Sequence, residues 1–195
     1  MLKYILPLVL TVVAAGCTRT PAPDDTTSPY AGQQIRTLKA LSEQDVEAYL
    51  AGEGMGLAKA AELNHYPGPK HALALAGHLE LTDKQRAETE VIYERMQAEA
   101  VQLGRKIVAK EEELDRLFAE QEAGRDRIRA LTFDIGELQG TLRFVHLEAH
   151  LAMKALLTED QVQRYDQLRG YDATTPPGQH PESMDQDHDG GAHDH

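Results

Sequence analysis

Apolar side chains recur every three or four residues along two long stretches, from Thr82 to about Gln121 and from Ile128 to Leu156. This spacing places them on one face of a helix and predicts two long amphipathic α-helices. Gly124 lies in the turn between them, so the two helices are expected to form an antiparallel hairpin. The second stretch is the clearer, with Ile128, Leu131, Ile135, Leu138, Leu142, Val145, Ala149, Ala152 and Leu156.

The motif Leu-Thr-x-x-Gln occurs twice, as LTDKQ before the first long helix and as LTEDQ after the second. Each copy has the residues of a capping box. The threonine hydroxyl accepts from the backbone N–H of residue N3, and the glutamine at N3 returns to the N-cap N–H. We predict that Thr82 with Gln85 starts the hairpin, and that Thr158 with Gln161 starts a short last helix that ends near Gly170.

Shorter helical segments precede the hairpin. Ser42, followed by acidic residues, predicts an N-cap, and the YPGP sequence at 66–69 leads into a short helix over residues 70–77. No strand-like alternation occurs, so the predicted fold class is all-α. A hairpin alone buries little apolar surface, and it therefore needs the N-terminal helices, a second copy of the chain, or both. The low aromatic content of 5% favours an elongated dimer.

The N-terminal residues have the pattern of an export signal. Lys3 precedes an apolar run over residues 4–13, which is too short to span a bilayer, and small residues lead to Cys17, the single cysteine. The pattern resembles a bacterial lipobox, which implies that residues 1–16 are removed and Cys17 is lipidated. An ordinary secretory signal is the alternative. Both imply export to the periplasm, and Thr18 after a lipidated cysteine favours an outer-membrane anchor.

Composition divides the rest of the chain into three parts. Residues 17–40, rich in Thr, Pro and Asp, predict a flexible tether. Residues 41–171 hold the helical domain. Residues 172–195 are acidic and cannot form a core, which predicts a disordered tail. Its histidines predict loose chelation of Cu, Zn or Ni, with a solubilising role as the alternative. These histidines are His180, His188, His193 and His195.

The formal net charge of -12 excludes some classes of function for this protein. An acidic chain without a basic stripe does not bind nucleic acid, whereas its field attracts cations. The chain also has no HExxH zinc motif, no phosphate loop following a strand, and no cysteine besides Cys17 for covalent catalysis. We therefore predict a binding protein without an organic cofactor, and not an enzyme.

The sequence HLEAH places two imidazoles on the helix with the clearest periodicity. His146 and His150 are four residues apart and share a face, where they can hold a metal ion together. Met153 follows on that face, and Met96 lies at the same level of the first helix if Gly124 is the turn. Imidazole with thioether suits copper, particularly Cu(I), or a late divalent ion. The alternative is that the histidines flank the core in water and the methionines fill gaps in it.

Three more histidines surround the YPGP turn. We interpret His65, His71 and His78 as helix-cap and surface residues. His71 and His78 share a face, however, and they would complete a site if the N-terminal helices fold over the open end of the hairpin.

An exported helical hairpin with two LTxxQ motifs resembles the Spy/CpxP family over roughly residues 41–171. The sequence GEGMGLAKAAELN followed by YPGP is similar to its periplasmic heavy-metal-sensor branch. The resemblance implies a cradle-like, all-α dimer in envelope stress, acting as a chaperone of unfolded clients or as a metal binder. Chaperone members have basic, apolar concave surfaces, and this chain is acidic.

We therefore expect a membrane-anchored homodimer that binds or senses transition-metal ions in the periplasm and works with a sensor or anti-sigma protein. The alternatives are an ATP-independent holdase and a structural coiled-coil lipoprotein that contacts a partner.

Overall fold

The computed structural model describes residues 27–171, of which 70% are helical and none lies in a strand, as the predicted all-α class requires. The chain divides into two compact units, one ending at Ile35 and one beginning at Arg36. The described part of the first contains turns and a 3-10 helix, Gln33–Ile35. The described part of the second forms α1 (Glu43–Ala51), α2 (Lys59–Glu62), α3 (Pro69–Ala74), α4 (Asp83–Ala119), α5 (Arg125–Leu156) and α6 (Glu159–Arg169).

Several predictions concern residues outside the described part. They are the export signal, residues 17–26 of the tether, lipidation of Cys17, and metal binding by the tail, with His180, His188, His193 and His195. Within residues 27–171, no helix combines the length and the apolar character that crossing a membrane requires.

Both LTxxQ motifs form the predicted capping boxes. The N–H of Gln85 donates to Oγ1 of Thr82, and the N–H of Gln161 donates to Oγ1 of Thr158, each at 3.2 Å. The two glutamines also bond to each other. Nε2 of Gln85 donates to Oε1 of Gln161 at 2.8 Å, and Nε2 of Gln161 donates to Oε1 of Gln85 at 3.1 Å. The starts of α4 and α6 are therefore joined directly.

The two long helices contact each other through residues spread along both. Nη2 of Arg95 lies 3.5 Å from Oε2 of Glu148, and Nζ of Lys110 lies 2.9 Å from Oδ2 of Asp134. Gly124 is the N-cap of α5. Between these ion pairs, the helices bury apolar residues from the predicted periodic faces, including Met96, Ala100, Ile107, Leu142, Val145 and Ala149.

The N-terminal helices pack against the long pair. A Cβ added to Gly104 of α4 would lie 2.0 Å from the carbonyl oxygen of Tyr49, so this glycine permits the close approach of α1. Ser42 caps α1 in a capping box with Asp45. After it, α2 contacts α5, and α3 contacts both α4 and α5. α1 therefore packs beside the middle of α4, and α2 and α3 cover the same end of the long pair as α6.

Candidate functional site

A cavity of about 720 Å³ lies between the N-terminal helices and the covered end of α4 and α5. One wall comes from the long helices and includes Met96, His146 and His150. The facing wall comes from the loop 52–56, α2 and α3. Three of the four predicted ligands in the helical domain thus line one cavity.

His146 is 3% exposed, and its Nε2 has no hydrogen-bond partner among the described residues. Burial disfavours the charged imidazole and lowers the pKa of His146, and the nearby His150 lowers it further. The ring is therefore neutral near pH 7. A neutral imidazole with an unpaired buried nitrogen in a cavity wall fits the first requirement of a metal ligand.

His150 is held in the tautomer that a metal site needs. It is 7% exposed, and its Nδ1 donates to the carbonyl oxygen of Tyr66 at 2.7 Å. Since Nδ1 carries the proton in the neutral ring, Nε2 carries the lone pair. A hydrogen bond from the second ring nitrogen to a carbonyl is the usual support of a metal-bound histidine. A Cβ on Gly68 would lie 3.2 Å from Nε2, so this glycine keeps the space beside the lone pair open.

The two predicted thioethers differ in their surroundings. Met96 packs on Val145 and Ala149 and also lines the cavity. Met153 is 0% exposed and belongs to the core cluster around Tyr165, away from the cavity lining. The sequence placed Met96 on the apolar seam of its helix and Met153 on the face of His150, but it could not distinguish a cavity wall from the core.

Sequence reasoning missed Met55, which lies in the loop that closes the cavity. This methionine has a positive φ of 44°, between Gly54 and Gly56. A methionine flanked by glycines in GEGMG is the signal that was present in the sequence. Among residues 27–171, no three or more His, Cys, Asp and Glu side chains converge as a metal site does. A metal ion bound here would therefore have to use the two imidazoles with sulfur.

Glu62 on α2 anchors a polar network at the edge of the cavity. The hydroxyls of Tyr165 and Tyr171 donate to its Oε1 at 2.5 and 3.1 Å, and Nε of Arg169 lies 3.6 Å from the same oxygen. Burial raises the pKa of Tyr171, and the Glu62 charge raises it further. Both tyrosines therefore remain protonated donors, and they tie α2 to α6 and to the residues that follow α6.

The histidines around the YPGP turn have three different surroundings. Nδ1 of His65 donates to Oδ2 of Asp166 at 2.7 Å, His78 is exposed, and His71 lines the cavity. The interpretation as cap and surface residues fits His78. The same interpretation does not fit His71. The short helices fold over the long pair, and this brings His71 to the cavity.

No family model, curated protein or solved structure matches the chain. The function of the protein is therefore inferred from the cavity and its residues.

Proposed function

We propose that the protein binds a late transition-metal ion, copper above the others, through Nε2 of His146, Nε2 of His150 and the thioether of Met96. The observation that carries the proposal is the buried Nε2 of His146, which lacks a hydrogen-bond partner among the described residues and belongs to a residue of the cavity lining. An unsatisfied buried polar atom costs about 1–3 kcal/mol. A metal–nitrogen bond would offset that cost, whereas an apolar ligand would not.

The donor types favour copper over other ions. Two imidazoles with a thioether form a soft set, which suits copper and disfavours Mg²⁺ and Ca²⁺. His150 is already oriented by its bond to Tyr66, and both histidines stand on one rigid helix. The field of an acidic chain would raise the local concentration of any cation.

We place this activity in the periplasm, with the chain anchored through a lipid on Cys17 and reporting to a sensor or anti-sigma protein. The support is the pattern of residues 1–17 and the Spy/CpxP resemblance, in which both LTxxQ motifs are helix caps. The tail histidines would add loose metal capture.

We further propose that α4 and α5 form an antiparallel hairpin and that two chains pair through α5. The ion pairs Arg95–Glu148 and Lys110–Asp134 support the first point, because the residue number rises along α4 as it falls along α5. A second apolar face on α5 supports the dimer, because Phe133, Phe144 and Leu151 are 68%, 58% and 56% exposed. With Gly140 and Leu147 they follow one another in steps of seven, four, three and four residues, which is compatible with the spacing of a coiled-coil seam.

The test of metal binding is a competition titration of Cu(I) against a chromophoric chelator under anaerobic conditions. The background is the full chain with the tail histidines His180, His188, His193 and His195 replaced by alanine. We expect the His146→Ala, His150→Ala double variant to lose about a hundredfold or more in affinity, since even supporting residues of metal sites are worth about 10–100-fold.

Two further variants make the test specific. His78→Ala removes an exposed histidine outside the cavity and should bind copper as tightly as the parent. Met96→Leu conserves volume and should weaken Cu(I) more than Zn²⁺, since sulfur is a soft donor. Unchanged Cu(I) affinity in the double histidine variant would rule out the proposed site.

A further inference from the structure

The cavity is much larger than a metal ion requires. Its volume is about 720 Å³, whereas one water molecule occupies about 30 Å³ of liquid. An ion with a few waters would therefore fill a small fraction of it. Cavities of this size usually hold organic molecules. Much of the lining belongs to the loop 52–56, α2 and α3, which lie outside the proposed donor set.

Two lysines in this part of the lining have no acidic partner. Lys59 on α2 and Lys70 on α3 line the cavity, and neither forms an ion pair within residues 27–171. Of the two lining carboxylates, Glu62 already accepts from Tyr165 and Tyr171, which leaves Glu53. In a chain with a net charge of -12, free cations at one cavity indicate an anionic ligand.

The remaining lining residues suit a small and partly apolar ligand. Tyr93 and Leu63 contribute side chains, and Gly54 and Gly56 contribute backbone. A Cβ on either glycine would meet no atom within 4 Å, so the space beside the loop is open. The cavity therefore offers apolar surface, two cations and two imidazole nitrogens to one occupant.

We propose that the cavity takes the metal ion together with a small organic carboxylate of amino-acid size, which chelates the ion and directs its carboxylate to Lys59 and Lys70. This inference rests on the proposed metal site. Two imidazoles and one thioether leave coordination positions open, which donor atoms of the chelator fill. A carboxylate near two ammonium groups gains charge-assisted hydrogen bonds, which water molecules in the cavity would not supply.

The test compares two chelators that differ in the carboxylate alone. L-Histidine and histamine share the same amine and imidazole, and histamine lacks the carboxylate. Equilibrium dialysis of the full chain, with the tail histidines replaced, would measure retention of each labelled chelator with one equivalent of Cu(II). We expect histidine to bind about fivefold more tightly, because each exposed ion pair contributes up to about 1 kcal/mol.

The lysine variants decide the origin of that preference. Lys59→Ala with Lys70→Ala should bind both chelators equally, whereas the matched control, Lys84→Ala with Lys106→Ala, should keep the preference. Equal retention of the two chelators by the parent protein, or a preference that survives in the first variant, would overturn the proposal. Copper retained by the parent protein in dialysis while neither labelled chelator is retained would also overturn it and leave the metal site standing. A parent protein that binds copper neither in this dialysis nor in the Cu(I) titration would remove both proposals.

Discussion

At the scale of single residues, burial separates histidines that the sequence presents as equivalent. The four-residue spacing predicts that His146 and His150 share a face, and both line the cavity. The spacing does not reveal that His150 donates to Tyr66 while Nε2 of His146 has no partner among the described residues. Both properties depend on the chain around the YPGP turn, which reaches α5 only in the folded domain.

The buried His146 also predicts how stability depends on pH. Burial and the neighbouring His150 lower the pKa of His146 from its ordinary 6.5. In the unfolded chain this histidine takes up a proton near pH 6.5, so protonation favours unfolding. The contribution of the neutral ring to stability is fully present above that value and is lost as the pH falls through the lowered folded pKa. We therefore expect the free energy of unfolding of the metal-free protein to fall as the pH is lowered through this range.

Urea denaturation at about pH 7.5 and about pH 5.5, with a metal chelator present, would measure this effect. His146→Leu removes the group and should reduce the difference in unfolding free energy between the two pH values. His78→Leu, at an exposed position, should leave that difference as it is in the parent. A His146→Leu protein with the parent's full pH dependence would contradict the assignment.

At the scale of helices and motifs, local chemistry predicted where helices begin. Thr82, Thr158 and Ser42 are N-caps with the side-chain bonds that a capping box requires. The helix predicted over residues 70–77 instead ends at Ala74. The following residues turn, with Glu80 at a φ of 51°, and lead into the first LTxxQ motif. Tertiary packing requires this turn, and helix propensity alone does not predict it.

The hydrogen bonds between Gln85 and Gln161 could not be predicted from the local sequence. They predict that substitutions at these two residues have coupled effects on the free energy of unfolding. Gln85→Ala and Gln161→Ala should each lower the free energy of unfolding by about 1–2 kcal/mol, because each removes a cap contact and leaves the other amide without its partner. The double variant should lose less than the sum, by about 0.5–1.5 kcal/mol. Urea denaturation of the four proteins gives this coupling energy.

A helix-surface glutamine provides the control for that cycle. Gln102 on α4 is exposed, and Gln102→Ala should change the free energy of unfolding by less than about 0.5 kcal/mol. Additive losses at Gln85 and Gln161 would mean that each acts as a cap alone and that the starts of α4 and α6 are independent.

At the scale of the whole molecule, the helical class follows from the hydrophobic period, but the cavity does not. Periodicity identifies which face of α5 is buried, but it does not tell whether Met153 and His146, beside that face, meet core, cavity or water. Whether such a residue meets core or cavity depends on where α2, α3 and the loop 52–56 lie. Those segments are short, and the loop contains three glycines, so their positions are set by the contacts of α2 with α5 and of α3 with both long helices.

The second apolar face of α5 predicts the oligomeric state. A helix with apolar residues on two faces is normally covered on both, and Phe144 lies near the middle of the outer face with 58% of its surface exposed. Sedimentation velocity should therefore find the parent protein as a dimer, and Phe144→Glu should weaken dimerisation by about thirtyfold, as loss of a central aromatic contact does. Val91→Glu on α4, at a residue 64% exposed, should remain dimeric. Circular dichroism should find both variants as helical as the parent, and a parent that sediments as a monomer at micromolar concentration would contradict pairing through α5.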